Sequence, residues 1–193
     1  MNKKQIIIGV VILLVAVAGI VWYLRISSTM SDVRVESTVP TNSLAGSGEP
    51  IDVKNANYLI ESREILLEDG VASAPAAPGS ASIIRTSVLE GPAFADIDGD
   101  NEKDAVVILR DEPGGTGIFY FVSTLLTNNG AQRSSNSLLL GDRIRIKEIA
   151  IESGLISIKI LDRASGDAMA VAPSVEKTLT FRLNSKVLEI VTQ

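Results

Sequence analysis

The sequence predicts an all-β domain standing behind a single apolar N-terminal segment. Three observations carry that expectation. Short runs of β-branched and aromatic residues recur along the second half of the chain, separated by Asp-Gly, Asn-Gly and Ser-Gly turn signals. No stretch after the first 25 residues combines helical periodicity with capping residues. The clearest alternation, Ile156-Ser157-Ile158-Lys159-Ile160, has the two-residue period of a half-buried strand. About nine or ten such segments point to antiparallel sheets arranged as a sandwich or a partly open barrel.

The chain begins with a short basic stretch, Met1 to Lys4, followed by an unbroken apolar run from Ile6 to Leu24. A helix of that length spans roughly 28 Å, close to the ~30 Å hydrocarbon core of a bilayer. A cleaved signal peptide has a shorter apolar region and ends at a small-residue site; this run ends in Trp22, Tyr23 and Arg25. Residues 1–25 are therefore expected to be an uncleaved membrane anchor. Lys3 and Lys4 place the N-terminus in the cytoplasm and the body outside it. Residues 26–52, rich in Ser, Thr and Gly and broken by Pro40 and Pro50, lack periodic apolar residues and read as a flexible linker.

The β domain is expected over residues 53–193. Tyr58-Leu59-Ile60 and Ile65-Leu66-Leu67 read as strands, the second ending at an Asp69-Gly70 turn. Ala74 to Ser82 reads as a loop, because Pro75, Pro78 and Gly79 interrupt any ladder. Ser82 to Leu89 is a strand leading towards Phe94. Asp104 to Arg110 encloses Ala-Val-Val-Ile-Leu and is a strand buried on both faces. Ile118 to Leu126 follows, with Phe119 and Phe121 sharing one face and Tyr120 the other. Asn128-Asn129-Gly130 is a hairpin turn, and Ser137 to Leu140 a strand. Two hairpins complete the chain, one about Ser153-Gly154 and one about Asn184-Ser185, with the loop Asp162 to Ser174 between them.

Composition excludes several kinds of chemistry. The whole chain carries a net charge of −5, and the first 25 residues are basic, so the body is more acidic still. Nucleic acid is a poor partner for such a surface. The chain has no cysteine and no histidine, which removes thiolate sites, disulfides, the usual zinc ligand and the commonest general base. Ser174-Val175-Glu176-Lys177 fits a Ser-x-x-Lys pattern but opens a strand rather than a helix, and no companion motif follows. Gly114-Gly115-Thr116-Gly117 is a turn, because no Lys-Ser/Thr and no helix follow it. Asp142 and Arg143, with Asp162 and Arg163, are expected to be solvated loop charges, the alternative being an ion-paired cluster.

One stretch does suggest a ligand. Asp96, Asp98, Asp100 and Asp104 fall at the first, third, fifth and ninth places of a nine-residue run, with Glu102 at the seventh offering its backbone carbonyl. Oxygen-only ligands at this density favour one Ca²⁺ ion over a transition metal. Gly99 permits the sharp turn, and Asn101 tolerates left-handed geometry. The twelfth place is Val107, so the full helix-loop-helix calcium pattern is not met. The alternative is an acidic turn whose Asp residues hydrogen-bond the backbone alone.

Phe94 to Val107 resembles the strand-loop-strand calcium element of FG-GAP/VCBS repeats, with Asn101 where glycine is usual and one copy where those repeats have several. A wider resemblance, from Asn55 to Val191, is to a bacterial family of uncharacterised exported proteins and lipoproteins. It rests on Asn55 to Ile60, Ala76 to Ser82, the acidic loop, Gly115 to Tyr120, Leu139 to Ile144, and Pro173 to Val175. That resemblance implies export and a compact domain, and no activity. The expected role is thus a non-catalytic binding or envelope-structural one, with the membrane and an envelope protein or polysaccharide as partners. The competing expectation is a cell-envelope hydrolase working with paired Asp and Glu side chains.

Overall fold

A strand apolar at every position is stable only when both its faces are covered. Ala105 to Leu109 meets that condition. In the computed structural model, which describes residues 50–191, Ala105, Val107 and Leu109 enter one hydrophobic cluster, while Val106 and Ile108 enter a second on the opposite face. All five are nearly or fully inaccessible to solvent. The described residues all lie within one compact unit, Leu44–Gln193. The expected anchor, and all of the expected linker but its last three residues, lie outside them.

The described residues form thirteen strands: β1 (Asn57–Ile60), β2 (Arg63–Leu66), β3 (Val71–Pro75), β4 (Ile83–Val88), β5 (Ala93–Ala95), β6 (Asp104–Glu112) and β7 (Phe119–Asn128), then β8 (Ala131–Ser134), β9 (Asn136–Asp142), β10 (Arg145–Glu152), β11 (Leu155–Asp162), β12 (Val175–Asn184) and β13 (Val187–Ile190). Among the described residues there is no helix. The all-β expectation holds. Nine strands form one sheet in the order β2-β1-β9-β7-β6-β4-β3, with β5 added beside β6 and β8 beside β7. The last four form a second sheet, β10-β11-β12-β13.

Two expectations are corrected. The strands number thirteen rather than nine or ten, because β3, β5 and β8 are short and carry few β-favouring residues. Pro75 ends β3, which lies at the edge of the sheet, where a missing N–H removes no ladder bond. The large sheet is also mixed rather than purely antiparallel. Leu59 and Ile60 of β1 run parallel to Asn136 and Ser137 of β9.

The two edge strands of that sheet, β2 and β3, are consecutive in the chain. Glu68 and Val71 bridge across an Asp69-Gly70 turn in which both central residues have positive φ, 51° and 86°. That turn type matches the twist of its flanks, as the Asp-Gly signal requires. The sheet therefore curls into a nearly closed barrel. The barrel encloses the first cluster, in which Tyr58, Ile60, Leu67 and Leu125 are each no more than 1% exposed. The Tyr58 hydroxyl donates to the Val53 carbonyl at 2.9 Å, and burial pushes its pKa well above the usual phenol range. Phe121 joins this cluster and Phe119 packs against it, while Tyr120 packs against the other, as the alternation of β7 predicts.

The second sheet covers the outside of the barrel. Ile156, Ile158 and Ile160 of β11 point inwards with Phe181 and Leu188 against Val106, Ile108 and Val122. Asn136 stitches the two sheets together. Its side-chain amide donates to the Leu188 carbonyl at 3.0 Å and accepts from the Leu188 N–H at 2.7 Å, standing in for a neighbouring strand. Asn136→Ala leaves both backbone groups of Leu188 unpartnered and should cost about 2 kcal/mol in urea unfolding. Asn136→Asp keeps only the acceptor and should recover part of that loss. A cost below about 0.5 kcal/mol for the alanine variant would mean that this contact does not hold the sheets.

Candidate metal centre

The acidic loop joins β5 to β6, neighbours in the large sheet whose register pairs Ala95 with Asp104. The chain must therefore reverse between those two residues. Gly99 at φ 85° and Asn101 at φ 69° make the reversal, the left-handed positions that the sequence assigns to them. Each Asp side chain then takes up loop amides. Asp96 accepts from the N–H of Gly99 at 2.7 Å and of Asn101 at 3.0 Å. Asp98 accepts from the Asp100 N–H at 3.3 Å, and Asp100 from the Glu102 N–H at 2.8 Å.

Asp104 forms the floor of the loop. It is fully buried, and its two carboxylate oxygens accept from different segments: Oδ2 from the Ile97 N–H at 2.9 Å and Oδ1 from the Thr127 N–H at 2.8 Å. One carboxylate thus ties the start of the loop to the far end of β7.

The structure brings three of the five expected ligands together. Carboxylate oxygens of Asp96, Asp98 and Asp104 all lie within 4.8 Å of one another, a spacing that can hold a metal ion. Among the described residues, none of the three makes an ion pair with a lysine or arginine. Burial, followed by the neighbouring Asp100 charge, raises the Asp98 carboxyl above its ordinary value. Burial also raises Asp104, against the two amide hydrogen bonds that favour its ionised form. Burial is the larger cause at both groups; at Asp98 the neighbouring carboxylates add to it and the Lys186 charge opposes it.

Asp100 and Glu102 turn elsewhere. Asp100 Oδ2 accepts from the Asn128 side-chain amide at 3.3 Å, and Glu102 Oε1 from the Asn129 N–H at 3.0 Å. The tip of the β7–β8 hairpin thus holds the second half of the loop and draws these two side chains out of the group.

Charged groups elsewhere behave differently from expectation. Asp142, Arg143, Asp162 and Arg163 are not separate solvated charges. Arg143 pairs with Asp142 at 3.1 Å, and Lys177 pairs with Asp162 at 2.7 Å. The Arg163 guanidinium donates to the carbonyls of Asp142, Arg143 and Val171. It fastens the loop after β11 onto the β9–β10 connection. The Lys177 partner, chiefly by its hydrogen bond, lowers the Asp162 carboxyl below its usual range. Sequence reasoning also missed Asp111, which is buried and bonded at 2.6 Å to both Arg63 and the Thr86 hydroxyl. Those three residues come from three strands, and nothing in their local sequence marks them as partners.

A cleft of about 950 Å³ lies along β10 and is lined by carboxylates other than those of the loop, Glu90 and Glu148. Both are exposed, and each is paired to a lysine, Lys54 at 2.7 Å and Lys159 at 3.0 Å. A general acid working on a glycosidic bond needs a desolvated carboxyl. These two are placed as surface ion pairs instead. Comparisons with protein-family models, curated proteins and solved structures gave no match.

Proposed function

We propose that this protein is a membrane-anchored, extracytoplasmic β domain stabilised by one calcium ion, with a binding or envelope-structural role rather than a catalytic one. The observation that carries the calcium reading is the convergence of Asp96, Asp98 and Asp104, none of which is ion-paired to a lysine or arginine among the described residues. Three carboxylates supply part of the six to eight oxygens that Ca²⁺ takes, and loop carbonyls and water would supply the rest. Bound there, the ion would hold the reversal between β5 and β6, and through Asp104 the end of β7. The apolar run from Ile6 to Leu24 supports the anchor, and the lysines before it support a cytoplasmic N-terminus. The resemblance of residues 94–107 to FG-GAP/VCBS calcium loops, and of the wider chain to exported bacterial proteins, agrees with both parts.

An exterior with millimolar calcium requires only weak affinity, on the order of 10⁻⁴ M. An ion that binds the folded chain alone stabilises it by about 2.7 kcal/mol at a hundredfold excess over Kd. For a domain of this size the melting temperature should then rise by roughly 10 °C. Thermal unfolding of the full-length chain in detergent, with calcium against chelator, measures that rise. Magnesium should produce less of it. Asp98→Ala should abolish it while the protein stays folded. Identical melting of the native chain with calcium and with chelator would reduce the loop to an ordinary acidic turn.

A further inference from the structure

We propose that the cleft along β10 is a docking groove for a short, extended acidic peptide, which adds to the free edge of β10 and lays apolar side chains on the cleft floor. β10 is the end strand of the four-stranded sheet, so one side of its backbone has no strand partner among the described residues. The cleft is lined by Arg143 to Ile149, which include the first five residues of β10, and by the segment Leu89 to Ala93. An unpaired strand edge facing a groove is the geometry by which extended peptides are captured, with main-chain hydrogen bonds giving affinity and alternate side chains giving selectivity.

The lining decides what such a peptide must carry. Ile108, Tyr120, Ile146 and Ile149 make an apolar floor, each of them partly or fully buried. Every second residue of an extended segment faces that floor, and those residues should be apolar. The rim is basic in an otherwise acidic chain. Arg145 and Lys147 are exposed and have no ion-pair partner among the described residues, whereas Glu90 and Glu148 already hold Lys54 and Lys159. Arg143 is held by Asp142. The remaining charge is positive, which selects carboxylates on the outward-facing residues of the peptide. An acidic polysaccharide would answer the charge but not the apolar floor or the row of backbone donors.

Length follows from a bulge. The β10–β11 register breaks between Ile146 and Glu148, leaving Lys147 as the extra residue. Bulges and lysines on edge strands oppose long strand pairing. The groove therefore accepts a few residues and refuses a long strand, including β10 of a second copy. None of the loop carboxylates lines this cleft, so failure of the groove and failure of the calcium reading are separate results.

The test is fluorescence anisotropy of the full-length chain in detergent with a labelled peptide of alternating glutamate and valine. This peptide should bind about tenfold or more tightly than its lysine–valine counterpart, and amide resonances of residues 143–149 should shift. Combined Arg145→Glu and Lys147→Glu should weaken binding by about tenfold with an unchanged melting temperature, because both side chains are exposed. Methylating alternate amide nitrogens of the peptide should abolish binding at constant charge. The proposal is overturned if the glutamate–valine peptide fails to bind at millimolar concentration, or if the lysine peptide or the methylated peptide binds equally well. It is also overturned if polygalacturonate binds the native chain and the peptide does not.

Discussion

Asp104→Ala should lower the unfolding free energy by about 3 kcal/mol in chelator, before any metal is considered. The side chain is fully buried, and both of its oxygens accept backbone N–H groups, of Ile97 and of Thr127. Alanine leaves two buried donors without partners, each costing on the order of 1–3 kcal/mol, together with a small cavity. Relief works in the opposite direction. Burial raises the Asp104 carboxyl above its ordinary value, so the ionised group is itself costly and its removal returns part of the loss. Unsatisfied donors outweigh that return, because the hydrogen bonds they lose join two separate segments of chain. Asp104→Asn retains one carbonyl oxygen, can satisfy one of the two amides, and should lose about half as much. Both variants should also lose the calcium response. Urea unfolding in chelator is the measurement, and a loss below about 1 kcal/mol for Asp104→Ala would show that water replaces the carboxylate.

The loop's reversal was legible in the sequence because it rests on local chemistry. Gly99 and Asn101 occupy the two left-handed positions, and the carboxylates bond amides two to seven residues away. The division of the acidic residues was not legible. Asp100 and Glu102 are drawn aside by Asn128 and Asn129, at a hairpin tip more than twenty residues further along. A spacing rule cannot see that competition.

The same distinction runs through the fold. β6 and β11 could be located from their own residues, one by a continuous apolar run and the other by strict alternation. Turns with a required backbone conformation were equally plain, as at Asp69-Gly70. β8, Ala-Gln-Arg-Ser, has no strand signal of its own and exists because β7 is long enough to pair twice, with β8 near its end and with β9 nearer its start. The parallel pairing of β1 with β9 depends on how the barrel closes, which local pattern does not specify. Asn136 shows the limit most clearly. A polar residue at the start of a strand looks unremarkable, yet its amide satisfies the backbone of β13 in the other sheet.

Phe181→Ala should cost about 4 kcal/mol, the largest loss expected from a single core substitution here. Phe181 is 1% exposed and lies in β12, paired with Ile156 of β11 and Ile190 of β13. It belongs to the cluster shared by the two sheets, which includes Val106 and Ile108 from the outer face of β6. Truncation of a buried phenylalanine removes its transfer free energy and leaves a cavity, typically 3–5 kcal/mol together. β-sheets relax poorly around such a gap, because each strand is fixed by ladders on both sides. The loss should appear in a single unfolding transition. If the second sheet came away alone, Val106, Ile108 and Val122 would face water, and the barrel would lose the cover on one side of its central strands. The calcium-dependent rise in melting temperature should survive this substitution, since the loop contributes only the apolar Ile97 to the cluster that holds Phe181 and none of its carboxylates. Chemical unfolding of Phe181→Ala with calcium and with chelator checks both statements. Two separated transitions would show the sheets to be independent units. A vanished calcium increment would show that the metal acts through the seam rather than through the β5–β6 reversal.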